Sequence, residues 1–166
     1  MQFRKANKED CKKILFFIKQ LAIYEKMEKD VVATEEILCE WIFEKKKANV
    51  IFAMEDGKEV GFALYFYNFS TFLGRAGIYL EDLFVLPEYR GKGYGKGLLQ
   101  KLASIAYEEG CGRLEWCCLD WNKPSIDFYR SLGACSLDEW TIYRLTGDTL
   151  EKNADEANKN ALFEDI

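Results

Sequence analysis

The chain has 166 residues, 49% of them hydrophobic, which is enough for one domain with a substantial core. A net charge of -5 and a pI near 5.0 argue against binding nucleic acid or a membrane surface, since phosphate contacts need a basic face. There is no histidine, which excludes histidine bases and triads, and the six cysteines form no Cys-x-x-Cys pair, so no metal is expected. Met1 to Lys5 runs at once into polar residues and no apolar run reaches membrane-spanning length, so we expect a cytoplasmic protein with reduced, mostly buried thiols.

Taken in order, Gln2 to Lys5 predicts a short edge strand. Asn7 and Asp10 have capping-box spacing before a helix to about Glu25, with Ile14, Phe17, Ile18, Leu21 and Ala22 on one face. Thr34 caps a second helix whose buried stripe is Ile37, Leu38, Trp41 and Ile42. Strands from Asn49 to Glu55 and from Glu59 to Phe69 flank Asp56-Gly57, a hairpin signal, and the second reads as a central strand, apolar on both faces. Ile78 to Leu86 is a strand carrying Glu81 and Asp82, and Pro87 ends its pairing. Beyond a glycine-rich loop, Leu98, Leu99, Leu102, Ile105 and Ala106 mark a helix that stops at Gly110. Arg113 to Leu119 is a strand, Asn122 to Gly133 a helix with Pro124 in its first turn, and Trp140 to Leu145 a last strand. The order β-α-α-β-β-β-α-β-α-β predicts an α/β fold, a mixed central sheet with helices on both faces. The domain spans 1–147, and 148–166 is a polar tail with room for a short helix.

The loop Arg90-Gly91-Lys92-Gly93-Tyr94-Gly95-Lys96-Gly97 carries the strongest chemical signal. Its glycines let a ligand approach the backbone, and the helix that follows points N–H groups at an anion. Lys92 and Lys96 are each followed by glycine, so it is not a Walker A loop, and Lys96 stands where the dinucleotide fingerprint needs glycine. It fits Arg-x-x-Gly-x-Gly instead.

With this loop come Leu21-Ala22, Tyr24-Glu25, Tyr79-Leu80-Glu81-Asp82, Phe84-Val85 and the run Trp121-Asn122-Lys123-Pro124-Ser125-Ile126-Asp127-Phe128-Tyr129. In these runs the sequence resembles the GNAT acetyltransferase superfamily, and within it the diamine group of spermidine/spermine and thialysine N-acetyltransferases. The resemblance implies acetyl-CoA as co-substrate. Its phosphates would lie on Arg90, Gly91, Lys92, Gly93, Tyr94, Gly95 and Lys96, and its pantetheine on the backbone of Leu83, Phe84 and Val85. Asn122, Pro124 and Ser125 would complete that side, and Tyr129 would be the proton donor. The substrate side would hold Tyr24, Glu25, Glu81, Asp82, Glu115, Trp116 and Cys117.

The residues support the same chemistry independently. An amine with pKa near ~10 must be attracted and deprotonated, and Glu81, acting through water beside Asp82, is the expected group. Strand alternation puts the two acids on opposite faces unless the strand bulges. Ser125 and Tyr129 are four apart, on one helix face. Polyamines are the expected substrates. A thialysine- or lysine-type amino acid is the alternative, with Arg75, Arg113 or Arg144 for its carboxylate, and a non-catalytic CoA-binding module is a third reading. Family resemblance also implies a homodimer.

Overall fold

Strand β1 (Gln2–Lys5) pairs antiparallel with β2 (Asn49–Glu55), which the two-residue turn Asp56-Gly57 joins to β3 (Lys58–Ser70). Both turn residues take left-handed backbone, φ 49° and 76°, as an Asp-Gly hairpin requires. The computed structural model describes residues 1–159. Strand β4 (Arg75–Val85) continues the antiparallel ladder on β3. A short β5 (Leu114–Trp116) lies parallel on β4, giving the order β1-β2-β3-β4-β5. The expected mixed α/β architecture is present.

Helix α1 (Cys11–Glu25) is entered through the capping box. The Asn7 side chain accepts from the Glu9 N–H at 2.9 Å, and Asp10 accepts from the Asn7 N–H at 2.8 Å. Arg4 of β1 donates to both oxygens of Asp10 at 2.7 Å, fixing helix to sheet and holding the Asp10 carboxyl below its usual range. On this face Ile14 and Phe17 pack with Ile42, Val50, Phe52, Phe62 and Phe84, the Phe17 and Phe62 rings stacked at 5.2 Å. On the same side lies α2 (Glu35–Cys39), capped by Thr34. Helix α3 (Tyr94–Glu108) contributes Leu98, Leu99, Leu102 and Ile105, all buried, and packs on β2, β3 and β4.

Contacts divide the chain after Leu119. The first unit holds the whole sheet with α1, α2 and α3. The second contains α4 (Lys123–Ser131) and α5 (Gly147–Lys159), the latter formed by the polar tail. Among the described residues no helix is long and apolar enough to cross a membrane.

Four expectations need correcting. Ile37 and Trp41 are 46% and 47% exposed, so of the stripe read in the second helix Ile42 is buried in the core and Leu38 packs against it partly buried. The cause is a π turn over Glu40–Glu44, closed by the Lys45 N–H on the Glu40 carbonyl at 2.8 Å; its extra residue rotates Trp41 outward, under the Lys45 ammonium. Cys11 and Cys39 form a disulfide, with Cα atoms 5.7 Å apart, rather than remaining thiols, and Cys117 and Cys135 are exposed rather than buried. The strand read over Arg113 to Leu119 shrinks to three residues, because β4 departs from it after Leu80. Trp140 to Leu145 pairs with no strand among the described residues.

Candidate active site

The centre of β4 is irregular. Leu64 of β3 faces Asp82, but the next residue, Tyr65, faces Leu80, so Glu81 is an extra residue bulged out of the ladder. The β4–β5 ladder ends at the same level, at Leu80 opposite Trp116. From Asp82 to Val85, β4 is therefore paired on its β3 side and has no strand on the other among the described residues. The expectation attributed this parting to Pro87. It begins six residues earlier, at the bulge, which bends and twists the strand.

The bulge also breaks the alternation that would keep Glu81 and Asp82 apart. Glu81 is exposed and Asp82 is half-buried. Burial, then the charges of Glu81 and Glu25, push the Asp82 carboxyl up from 3.8 to about 7. Glu25, at the end of α1, is itself raised by burial. Three carboxyl groups thus share one electrostatic environment, and Asp82 sits where a proton can be held or released near neutral pH. The sequence named all three acids but gave no sign of which is desolvated.

Of the other residues expected on the substrate side, Glu115 and Trp116 lie in β5 and Cys117 directly follows it. The Tyr79 hydroxyl contacts the Cys117 sulfur at 2.9 Å, and burial together with that contact raises the phenol. Glu115 accepts from Asn68 at 2.8 Å and lies 2.8 Å from Arg113. The carboxylate is thereby engaged inside the protein. Trp116 is half-buried in β5.

The four loop glycines have different causes. Gly91 and Gly93 take left-handed backbone, φ 76° and 88°, which L side chains resist. A Cβ on Gly97 would strike the Met1 sulfur and come within 2.8 Å of the Phe3 ring, so this glycine lets α3 close on the N-terminus. Gly95 has neither constraint: its nearest neighbours would be Leu83 and Val85 at 3.8 and 3.9 Å. The internal packing leaves Gly95 unexplained, and a ligand lying on the helix start would explain it. Gly95→Ala is expected to preserve or raise thermal stability, since alanine favours helix by about 1 kcal/mol, while raising the acetyl-CoA KM at least tenfold. An unchanged KM would remove the ligand from this position.

The loop cations are mostly engaged elsewhere. Lys92 reaches both oxygens of Glu55 at 3.3 Å, and the Tyr94 hydroxyl donates to the same carboxylate at 2.9 Å. Arg90 donates from Nε to the Val85 carbonyl at 3.0 Å, with its guanidinium over Tyr24 at 4.9 Å and Phe84 at 5.1 Å. Lys96 is exposed. No side chain caps the first turn of α3, so its leading backbone N–H groups have no side-chain acceptor at the cap.

In the second unit, the Asn122 side chain caps α4 by accepting from the Ser125 N–H at 3.4 Å, and Pro124 stands in the first turn. Tyr129 is half-buried, its ring 5.2 Å from that of Phe128. The i, i+4 spacing places Ser125 and Tyr129 on one face of α4, as read from the sequence.

Comparison with known proteins gives a consistent picture. Residues 10–134 match the model of the acetyltransferase (GNAT) family. A thialysine N-epsilon-acetyltransferase from Bos taurus is 37% identical over 166 aligned positions, 93% of this chain and 97% of that protein. An L-ornithine N5-acetyltransferase from Arabidopsis thaliana is 45% identical over 98 positions, 59% of this chain and 43% of the other. Among solved structures, an integron cassette protein from the mobile metagenome of V. cholerae superposes with a TM-score of 0.78 at 33% identity, covering 92% of this chain and 96% of that one.

Proposed function

The chain belongs to the acetyltransferase (GNAT) family and is an N-acetyltransferase, and from that premise we propose that it moves acetyl from acetyl-CoA directly to a primary amine of a small molecule bearing a second amino group. The observation that carries the reading is the acid group at the β4 bulge: three carboxyls, two of them raised by burial, beside a stretch of β4 that has no strand on one side among the described residues.

Each step has a candidate. Glu25, Glu81 and Asp82 attract the ammonium, and the Glu81–Asp82 pair, through water, takes the proton that must leave before nitrogen can attack. Backbone groups of Leu83, Phe84 and Val85 line the unpaired side of β4 and orient the thioester. The α3 N-terminus receives the phosphates. The new C–N bond forms as the C–S bond breaks, and the Tyr129 hydroxyl protonates the departing thiolate. No acyl-enzyme is needed, and Cys117 and Cys118 take no part as nucleophiles.

A diamino acid of the thialysine or ornithine kind is the leading substrate class, because the relatives so named match this chain. Polyamines are the second reading, favoured by the three acids. The polyamine-first expectation thus gives way to its own alternative. The working unit in this reading is a pair of identical chains. Thiol release from acetyl-CoA, measured against thialysine, ornithine, lysine, spermidine and putrescine, tests the assignment. We expect kcat/KM for the diamino acids to exceed that for spermidine at least tenfold. The reverse order restores the polyamine reading, and no turnover of any amine sinks both.

A further inference from the structure

Lys92 stands between Gly91 and Gly93, the two loop residues held in left-handed backbone, and Tyr94 opens α3 directly after them. Both reach one carboxylate outside the loop, that of Glu55, the last residue of β2. The hydroxyl of buried Tyr94 donates to it at 2.9 Å, and the Lys92 ammonium lies 3.3 Å from each of its oxygens. Glu55 therefore fastens the residues on both sides of Gly93, where the chain turns from loop into helix. No step of the proposed reaction uses this acid, and an anion repels phosphates from a loop built to receive them.

The two bonds differ in kind. Tyr94 is buried and its ring meets that of Tyr89 edge-on at 6.5 Å, so its hydroxyl is fixed. The Lys92 side chain is 50% exposed, with its ammonium 5.0 Å from the centre of the Tyr89 ring, on a flexible four-carbon stem. An exposed ammonium held at 3.3 Å makes a weak pair, which a more highly charged phosphate can displace. One carboxylate thus carries a permanent bond and a releasable one.

We propose that Glu55 is a positioning residue for acetyl-CoA. Through Tyr94 it sets the start of α3, and through Lys92 it holds a cation that exchanges the carboxylate for a phosphate of the cofactor. The exchange breaks one ion pair and makes another, with no covalent bond changed and no proton moved. The Glu55 charge left beside the phosphates then opposes them, which lowers affinity for the cofactor and favours release of the product CoA. The inference rests on the reading that the phosphates lie on this loop, and extends it to a residue of the neighbouring hairpin that the loop motif does not contain.

Calorimetric titration of the full chain with CoA reads binding without turnover. Glu55→Gln keeps an acceptor for the Tyr94 hydroxyl and removes the charge. Its CoA Kd should fall about fivefold below the native value at about 0.05 M salt and converge on it near ~1 M. In a Lys92→Met background the same substitution should gain less than about twofold, since the released cation is gone. Glu55→Ala leaves the hydroxyl without its acceptor and should bind CoA at least about threefold more weakly than Glu55→Gln. Native affinity in Glu55→Gln, or an equal gain in both Lys92 backgrounds, would overturn the exchange. Equal affinity of the Ala and Gln variants would overturn the positioning role. Circular dichroism checks the fold of each variant, and the Lys92 comparison decides the matter even if Glu55→Ala does not fold. A native chain that binds CoA while its variants fail these tests loses this inference alone, whereas one that binds no CoA loses the phosphate reading with it.

Discussion

Tyr129→Phe is expected to lower kcat for amine acetylation by about 10²–10³-fold while leaving the acetyl-CoA KM within about twofold. A thiolate leaving a thioester carries charge that must be neutralised, and a phenol with pKa near ~10 can protonate it with little mismatch to a thiol near ~8.5. The chain has no histidine that could substitute. Phenylalanine keeps the ring and its 5.2 Å contact with Phe128 and removes only the hydroxyl. The half-buried site should therefore keep its packing, and thermal unfolding should shift by no more than a few degrees. Single-turnover measurement separates the possibilities: loss confined to the chemical step supports the proton donor. A variant with full rate, or one with acetyl-CoA affinity lost in proportion to rate, would remove Tyr129 from that role.

The legible parts of this chain were those governed by short-range chemistry. The Asp56-Gly57 turn, the Asn7–Asp10 capping box and the Thr34 cap are each decided by residues within four positions of one another, and each forms as read. The illegible parts depend on partners distant in sequence. The bulge at Glu81 exists because β3 and β4 change register at Leu64–Tyr65, and nothing local to Glu81 announces it. The Cys11–Cys39 bond closes across 28 residues once two helices pack. The rotation of Trp41 depends on one i→i+5 hydrogen bond at Lys45. Residues 140–145 show the limit from the other side: their composition reads as a strand, yet they pair with none among the described residues. The same holds at the site. Residue types singled out the acids, the glycine loop and Tyr129, but only three-dimensional packing made Asp82 the desolvated carboxyl and turned Arg90 and Lys92 toward protein partners.

Asp82→Asn should separate the two consequences of that desolvated acid. In the folded chain Asp82 keeps its proton up to about pH 7, whereas the unfolded chain releases it near 3.8. Between those values the native state binds more protons than the unfolded state, so stability falls as pH rises from about 4 to 7 and then levels off. Asparagine cannot ionise and abolishes that decline. The variant should match the native chain near pH 4 and exceed it by about 2 kcal/mol at pH 8, a figure reduced from the full linkage value because the group is only half-buried. Activity should move the opposite way. Native kcat/KM for the amine should rise through a limb near pH 7 as Asp82 ionises, below a second limb set by the amine itself. Asp82→Asn should lose the first limb and about 100-fold in rate constant. Glu25→Gln removes one of the charges that raise Asp82, so the limb should shift to lower pH without disappearing. Should the limb near pH 7 persist unchanged in Asp82→Asn, the titrating group lies elsewhere and Asp82 is a cost of the fold without a part in the reaction. A variant both more stable above neutral pH and slower would identify Asp82 as a charge the fold tolerates for the chemistry it supports.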